Sequence, residues 1–310
     1  MKTKAKQSKA RKARKAKQNA AAVNREQAMS LAQFAVICES LEAFGCRLQA
    51  EADRLKREGR PGGKGTWRYY LERQARIYKA GKIPGEVFKK GGNRKLPFFA
   101  WSTLPIVTCP GAGDCAEWCY SLKAWRYPAA FLRQAANTLR LRFGRRSIIK
   151  AVQQLPRDTT VRLYVDGDFD SEATALFWAN LMRQRPDVDW YGYSKSLHIL
   201  AAVGHAFPAN YALNLSSGSR FARESAEYQT VKAMPFARGE FIAVPIEGKH
   251  PRGFKRYQSR AYHAAVRAAA AAAGLAGAFS CPGECGKCGN GRHMCGRIEF
   301  GNPIVIGFHC

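Results

Sequence analysis

The 310-residue chain is expected to fold as an α/β protein, a parallel sheet or partial, TIM-like barrel with Cys-rich metal-binding loops and a basic disordered N-terminal tail. Three observations predict this. Between Val161 and Pro245, short β-branched or aromatic runs alternate with helical patterns, as in successive βα units. Two cysteine groups rich in glycine and proline flank that region. Residues 1–17 hold nine lysines and arginines and no acid.

The elements follow in order. Residues 1–23 are expected to be disordered, because a dense like-charged block repels itself. From Asn24 through Glu58, apolar residues such as Leu31, Phe34, Leu41 and Phe44 recur near helical spacing. The run GRPGGKG (59–65) is a linker, and residues 59–310 are read as one barrel-like domain. Trp67–Arg76 is expected to be helical, 98–108 a strand, and about 128–154 a helix that ends before Pro156. Then come strand Val161–Val165, helix Ser171–Arg183 with Ser171 as N-cap, strand Val188–Tyr193, helix Leu197–Ala206 and strand Tyr211–Leu215. Strand Phe241–Pro245 and an alanine-rich helix over 259–273 complete the pattern. In such folds the functional loops lie at the C-terminal ends of the strands.

Composition narrows the function. A 46% hydrophobic content excludes a wholly disordered chain. No stretch approaches the ~20 apolar residues of a membrane span, and the basic start is not followed by a signal-type apolar run, so a cytoplasmic protein is expected. Fifty-one basic against 23 acidic residues give a net charge of +28, and the excess persists beyond the tail. The natural partner of that charge is a phosphate backbone, so nucleic acid is expected; the tail lacks an apolar face for a membrane. Oligomeric state is not legible.

The cysteines carry the most chemistry. Without a signal sequence, ten cysteines of which seven fall in two clusters argue for metal rather than disulfides. Cys281, Cys285, Cys288 and Cys295 supply four ligands, enough for tetrahedral zinc or a cubane iron–sulfur cluster, and His293 can replace one. Cys109, Cys115 and Cys119 supply three, which leaves a position open for substrate or cofactor, unless a distant residue completes a zinc site or both groups share one centre. Directly after a strand stands Asp166-Gly167-Asp168-Phe169-Asp170, where carboxylates can hold Mg²⁺ or bind a ribose or amine. An EF-hand does not fit, since Ser171 stands where the loop needs Gly and Phe177 where it needs Glu. Two further strand ends, Tyr191–Ser196 and Asn214–Arg220, offer Lys195 and Arg220.

These motifs in order, C-P-x4-C-x3-C-Y, strand-G-D-F, Y-x-Y-S-K-S, strand-S-S and a late Cys group, resemble the mycobacteriophage gene-product-88-like family of phage and mobile elements such as plasmids, over roughly Leu96 to Cys295. A looser resemblance is to radical S-adenosylmethionine barrel proteins. It implies a cluster at Cys109, Cys115 and Cys119, S-adenosylmethionine contacted by Gly167, Asp168 and Phe169, and catalytic roles for Asp168 and Lys195. The spacing departs from that family's: C-x5-C-x3-C stands in the first loop, and the usual C-x3-C-x2-C falls at Cys281, Cys285 and Cys288. Two functions are therefore expected: an iron–sulfur enzyme acting on or with nucleic acid, or a zinc-stabilised DNA- or RNA-binding protein in which Trp67, Tyr69 and Tyr70 stack on the strand.

Overall fold

The structure, a computed structural model, describes residues 25–90, 96–246, 259–285, 288 and 293–308. The basic segment 1–23 lies outside them. The chain divides into two compact units, a helical one and a sheet-based one.

The helical unit comprises α1 (Arg25–Ile37), α2 (Leu41–Arg57), α3 (Trp67–Lys79), a 3₁₀ helix over Tyr120–Arg126 and α4 (Pro128–Phe143). The single helix expected over 24–58 is two, because Ser40 caps a new start and accepts from the Ala43 amide at 3.0 Å. Thr66 caps α3 in the same way. Leu31, Ala35, Phe44, Leu48, Leu71, Tyr78, Phe131 and Leu139 close one apolar core. Burying each large side chain in it contributes roughly 1.5–3 kcal/mol. Trp67 belongs to that core: it is 1% exposed and packs 5.3 Å from Phe131, so it has no face for a base. Its first-turn position, fixed by the Thr66 cap, turns it inward.

The sheet unit holds eight strands: β1 (Lys89–Lys90), β2 (Phe99–Ala100), β3 (Thr159–Leu163), β4 (Val188–Ser194), β5 (Tyr211–Ser216), β6 (Ala237–Pro245), β7 (Phe279–Ser280) and β8 (Ile304–Phe308). Their order is β1-β2-β3-β4-β5-β6-β8-β7, parallel throughout except for the antiparallel β1–β2 edge. The parallel α/β sheet matches the expectation; among the described residues no ladder joins β1 to β7, so the pairing does not close a barrel. Much of the 98–108 run is turn rather than strand. Five helices belong to the crossovers and ends: α5 (Arg145–Gln153), α6 (Glu172–Gln184), α7 (Leu197–Val203), α8 (Ala226–Lys232) and α9 (Arg260–Ala272). The single helix expected over 128–154 breaks at Gly144 into α4 and α5.

The two faces of the sheet differ. On one, Trp178 of α6 meets Trp190 and Trp101, while Tyr262 and Val266 of α9 pack with Val244 and Val305. The other face presents Arg162, Tyr191, Tyr193, Ala212 and Asn214, and there the Cys-rich C-terminal segment replaces a helical layer. Within β6 the register with β5 slips by one residue, so Arg238 and Gly239 both stand opposite Asn214. Gly239 takes φ 143°, which a side chain would resist.

Replacing Trp67 by Ala is expected to cost about 3–5 kcal/mol of folding stability, read by urea unfolding. Replacing the partly exposed Tyr69 should cost under about 1 kcal/mol in the same assay.

Candidate functional site

The C-terminal ends of β3 and β4 meet at one carboxylate, and the end of β5 joins them through the Lys195 side chain. Beyond β3 the chain turns through Tyr164, a non-glycine residue at φ 53°, held there by a 3.2 Å hydrogen bond from the Trp178 indole and edge-on packing against Phe169. Such backbone costs about 1 kcal/mol or more and aims the next loop. Gly167 follows at φ 79°, half-buried, and Phe169 is fully buried in the core. Asp168 is 4% exposed. One of its oxygens accepts from Ser194 Oγ (2.7 Å) and the Phe169 amide (2.8 Å), the other from the amides of Lys195 (2.7 Å) and Ser196 (3.2 Å). Burial pushes this carboxyl above its ordinary range, and the Lys195 amide, Ser194 and the Lys195 charge oppose the shift.

Asp168 and Lys195 are thus brought together, but through the lysine's backbone. The Lys195 ammonium donates to Ser216 Oγ at 2.9 Å. Its carbonyl accepts from Ser219 Oγ at 3.0 Å, and that hydroxyl also lies 3.2 Å from the Gly111 carbonyl. Arg220 donates its amide to Gly111 (3.0 Å), while its guanidinium lies over Phe221. The amides of Gly113 and Cys115 donate to the Gly218 carbonyl at 3.0 and 3.4 Å. The Cys109–Cys115 loop is therefore stitched to the loop after β5. Gly111 is forced by this approach, since a Cβ there would sit 1.8 Å from the Lys195 carbonyl oxygen. Gly218, at φ 77°, would press a Cβ to 2.8 Å from that of Cys115. Cys119 opens the 3₁₀ helix of the helical unit, whereas Cys109 and Cys115 belong to the sheet unit.

A family model described as gene product 88 matches residues 79–292. The chain belongs to the gene product 88 family. The family's range takes in Cys109, Cys115, Cys119, Cys281, Cys285 and Cys288 and stops before His293 and Cys295. No curated protein and no solved structure matches the chain.

In this gene product 88 protein the second cysteine group covers the sheet face that carries Tyr191, Tyr193 and Asn214. Tyr191 Oη lies 3.9 Å from Cys285 Sγ, and the amides of Gly283 and Met294 point at the sulfurs of Cys281 (3.4 Å) and Cys288 (3.3 Å). Asn214 donates to the Cys295 carbonyl at 2.8 Å. Burial pushes the Cys281 thiol up to about 12, with Cys295, Cys285 and Cys288 adding to the rise, and burial pushes Cys295 up to about 11. His293 is buried between Tyr191 and Phe98, ring centroids 4.0 and 4.6 Å away, and among the described residues its Nδ1 has no hydrogen-bond partner; burial, then Arg162, hold it down to about 4. Among the described residues, no group of three or more His, Cys, Asp or Glu side chains is arranged to hold a metal ion.

Sequence reasoning passed over two cations on this face. Arg238, 2% exposed, donates to Asn214 Oδ1 (2.6 Å) and to the carbonyls of Phe300 (2.7 Å), Asn302 (2.9 Å) and Glu240 (2.9 Å). Arg162 lies 4.6 Å from the centre of the Tyr193 ring. An arginine in a predicted buried strand is the signal that marks Arg162; Arg238 lies before the strand expected at Phe241–Pro245, and no such signal marks it. Asn214 and Ser216, two residues apart on β5, face the same side, so the lysine-bearing strand end and the cysteine face adjoin along one strand. Among the described residues no helix is long and apolar enough to cross a membrane.

Asp168→Asn places an amide donor among four donors, and is expected to cost roughly 2–4 kcal/mol in urea unfolding. Exposed Asp170→Asn should stay within about 0.5 kcal/mol. Gly111→Ala is expected to lower the thermal midpoint, whereas Gly63→Ala, with open space around its Cα, should leave it unchanged.

Proposed function

We propose that this phage-family protein carries a thiolate-bound metal centre at Cys281, Cys285, Cys288 and Cys295 and acts on or with nucleic acid. The observation that carries the reading is that Cys281, Cys285 and Cys295 lie on the same sheet face as two arginines, Arg162 and Arg238. Four thiolates around zinc, or around a cubane iron–sulfur cluster in its usual oxidised state, make a dianion. Arg238, solvated by carbonyls and an amide oxygen, supplies charge that such a dianion balances. Thiolates serve both iron–sulfur and zinc, and iron–sulfur is the preferred assignment. The net charge of +28 supports the nucleic-acid partner.

A second reading, an iron–sulfur enzyme that uses S-adenosylmethionine, draws support from the Cys109–Cys115 loop lying at the strand ends beside Lys195. A cluster there supplies one-electron chemistry when bound. Half-buried Gly167 would line the cofactor side of that loop, with Phe169 packed in the core behind it and Asp168 as the residue that fixes the Lys195 backbone rather than as a proton carrier.

The test is metal and sulfide analysis with a visible spectrum, on full-length protein made with iron supplied and purified without oxygen. Stoichiometric iron with matching sulfide and a broad band that bleaches on reduction is expected, and Cys285→Ser should lose it while Cys38→Ser keeps it. Colourless protein with stoichiometric zinc assigns the zinc alternative, and S-adenosylmethionine cleavage by the reduced protein assigns the enzyme. Protein without either metal, with Cys285→Ser unaltered in stability, sinks the metal centre.

A further inference from the structure

The 3₁₀ helix over Tyr120–Arg126 has three residues per turn, so Tyr120, Lys123 and Arg126 line one face. All three are exposed, Tyr120 by 58%. The opposite side is anchored: Ser121 and Trp125 are buried, the Trp125 indole donates to Gln134 Oε1 at 2.7 Å, and its ring stands edge-on to Phe131 at 5.2 Å. At the end of the stripe Tyr127 is 54% exposed, with the Arg126 guanidinium 5.0 Å from its ring centre. Residues 119–146 contain seven lysines and arginines and no acid. One of these, Arg140, is buried on the carbonyls of Pro84 and Gly85, and the charges of the stripe itself face solvent.

We infer that the Tyr120–Lys123–Arg126–Tyr127 stripe is a stacking and phosphate-contact surface for single-stranded nucleic acid. Two exposed rings set among cations on a rigid turn match what an unpaired strand offers, base faces alternating with phosphates. A duplex keeps its base faces stacked away. A membrane would need an inserted apolar face, and the apolar residues here, Leu122 and Trp125, point into the core. The sequence points to Trp67, Tyr69 and Tyr70 for stacking; Trp67 is buried, Tyr69 and Tyr70 are partly exposed, and Tyr120 and Tyr127 are the most exposed rings among the described residues. This inference rests on the nucleic-acid half of the proposed function and is independent of the metal.

The test is fluorescence anisotropy of a labelled oligothymidylate with the full-length protein over a range of salt. The double variant Tyr120→Ala/Tyr127→Ala is expected to bind about fivefold or more weaker per ring lost, with an unchanged salt slope, since no charge is removed. Tyr→Phe at both positions should restore binding. Lys123→Gln/Arg126→Gln should instead flatten the salt slope by about 1.4 in log–log terms. A full-length variant with the basic residues of 1–17 changed to Gln should still respond to the tyrosine changes. If the tyrosine variants bind as tightly as the parent, the stripe is overturned while the nucleic-acid partner survives. If the parent binds no nucleic acid, both fall. If the tyrosines matter only for duplex or for anionic vesicles, the single-strand assignment is wrong.

Discussion

The Asp168 carboxylate ties the ends of β3 and β4 together, and the loops at that edge of the sheet are built outward from it. Its two oxygens receive a hydroxyl and three amides, two of which belong to Lys195 and Ser196. That fixes the Lys195 carbonyl, which fixes Ser219, which with Gly111 and Gly218 fixes the loop bearing Cys109 and Cys115. The order of dependence runs from a carboxylate to a strand end to a cysteine loop. Each link is short-range and directional, so a disturbance at Asp168 is passed on to the loop that bears Cys109 and Cys115.

The sheet divides its labour between its faces. Tryptophans and helices on one side supply the apolar burial that holds the unit together. The other side gathers groups that make a poor apolar core: two arginines, an asparagine, tyrosine hydroxyls and four cysteines. Polar groups at that density cost stability unless each has a partner, which makes that face the one shaped by chemistry.

Much of the sheet was legible because period-2 patterning and turn residues act locally. The strands from Val161, Val188 and Tyr211 and the Ser171 cap all follow from the immediate sequence. What escaped depends on distant partners. The two-residue β7 exists only because β8 runs beside it, and Ser40 breaks a helix whose apolar spacing continues across the break. Trp67 reads as a nucleic-acid contact among its Arg and Tyr neighbours, and only the Thr66 cap decides which way it turns. Asp168, Lys195 and the cysteines stood out by residue type, yet that type does not say that the carboxylate is spent on amides or that Arg162 and Arg238 face the late cysteine group.

The extra residue in β6 has a consequence for how this chain can change length. Since Arg238 and Gly239 share one partner position, every later residue of the strand is out of phase with the earlier ones. That phase shift is what sends Ile242 and Val244 to α9, Glu240 to Tyr228 of α8, and Phe241 to the cysteine face. Losing a single residue here would exchange the two faces for the rest of the strand, setting a carboxylate against the sulfurs and an aromatic ring among the helices. Point substitutions along β6 act one site at a time. An indel of one would act on all of them at once, so the strand's reading frame in space is as constrained as any side chain in it.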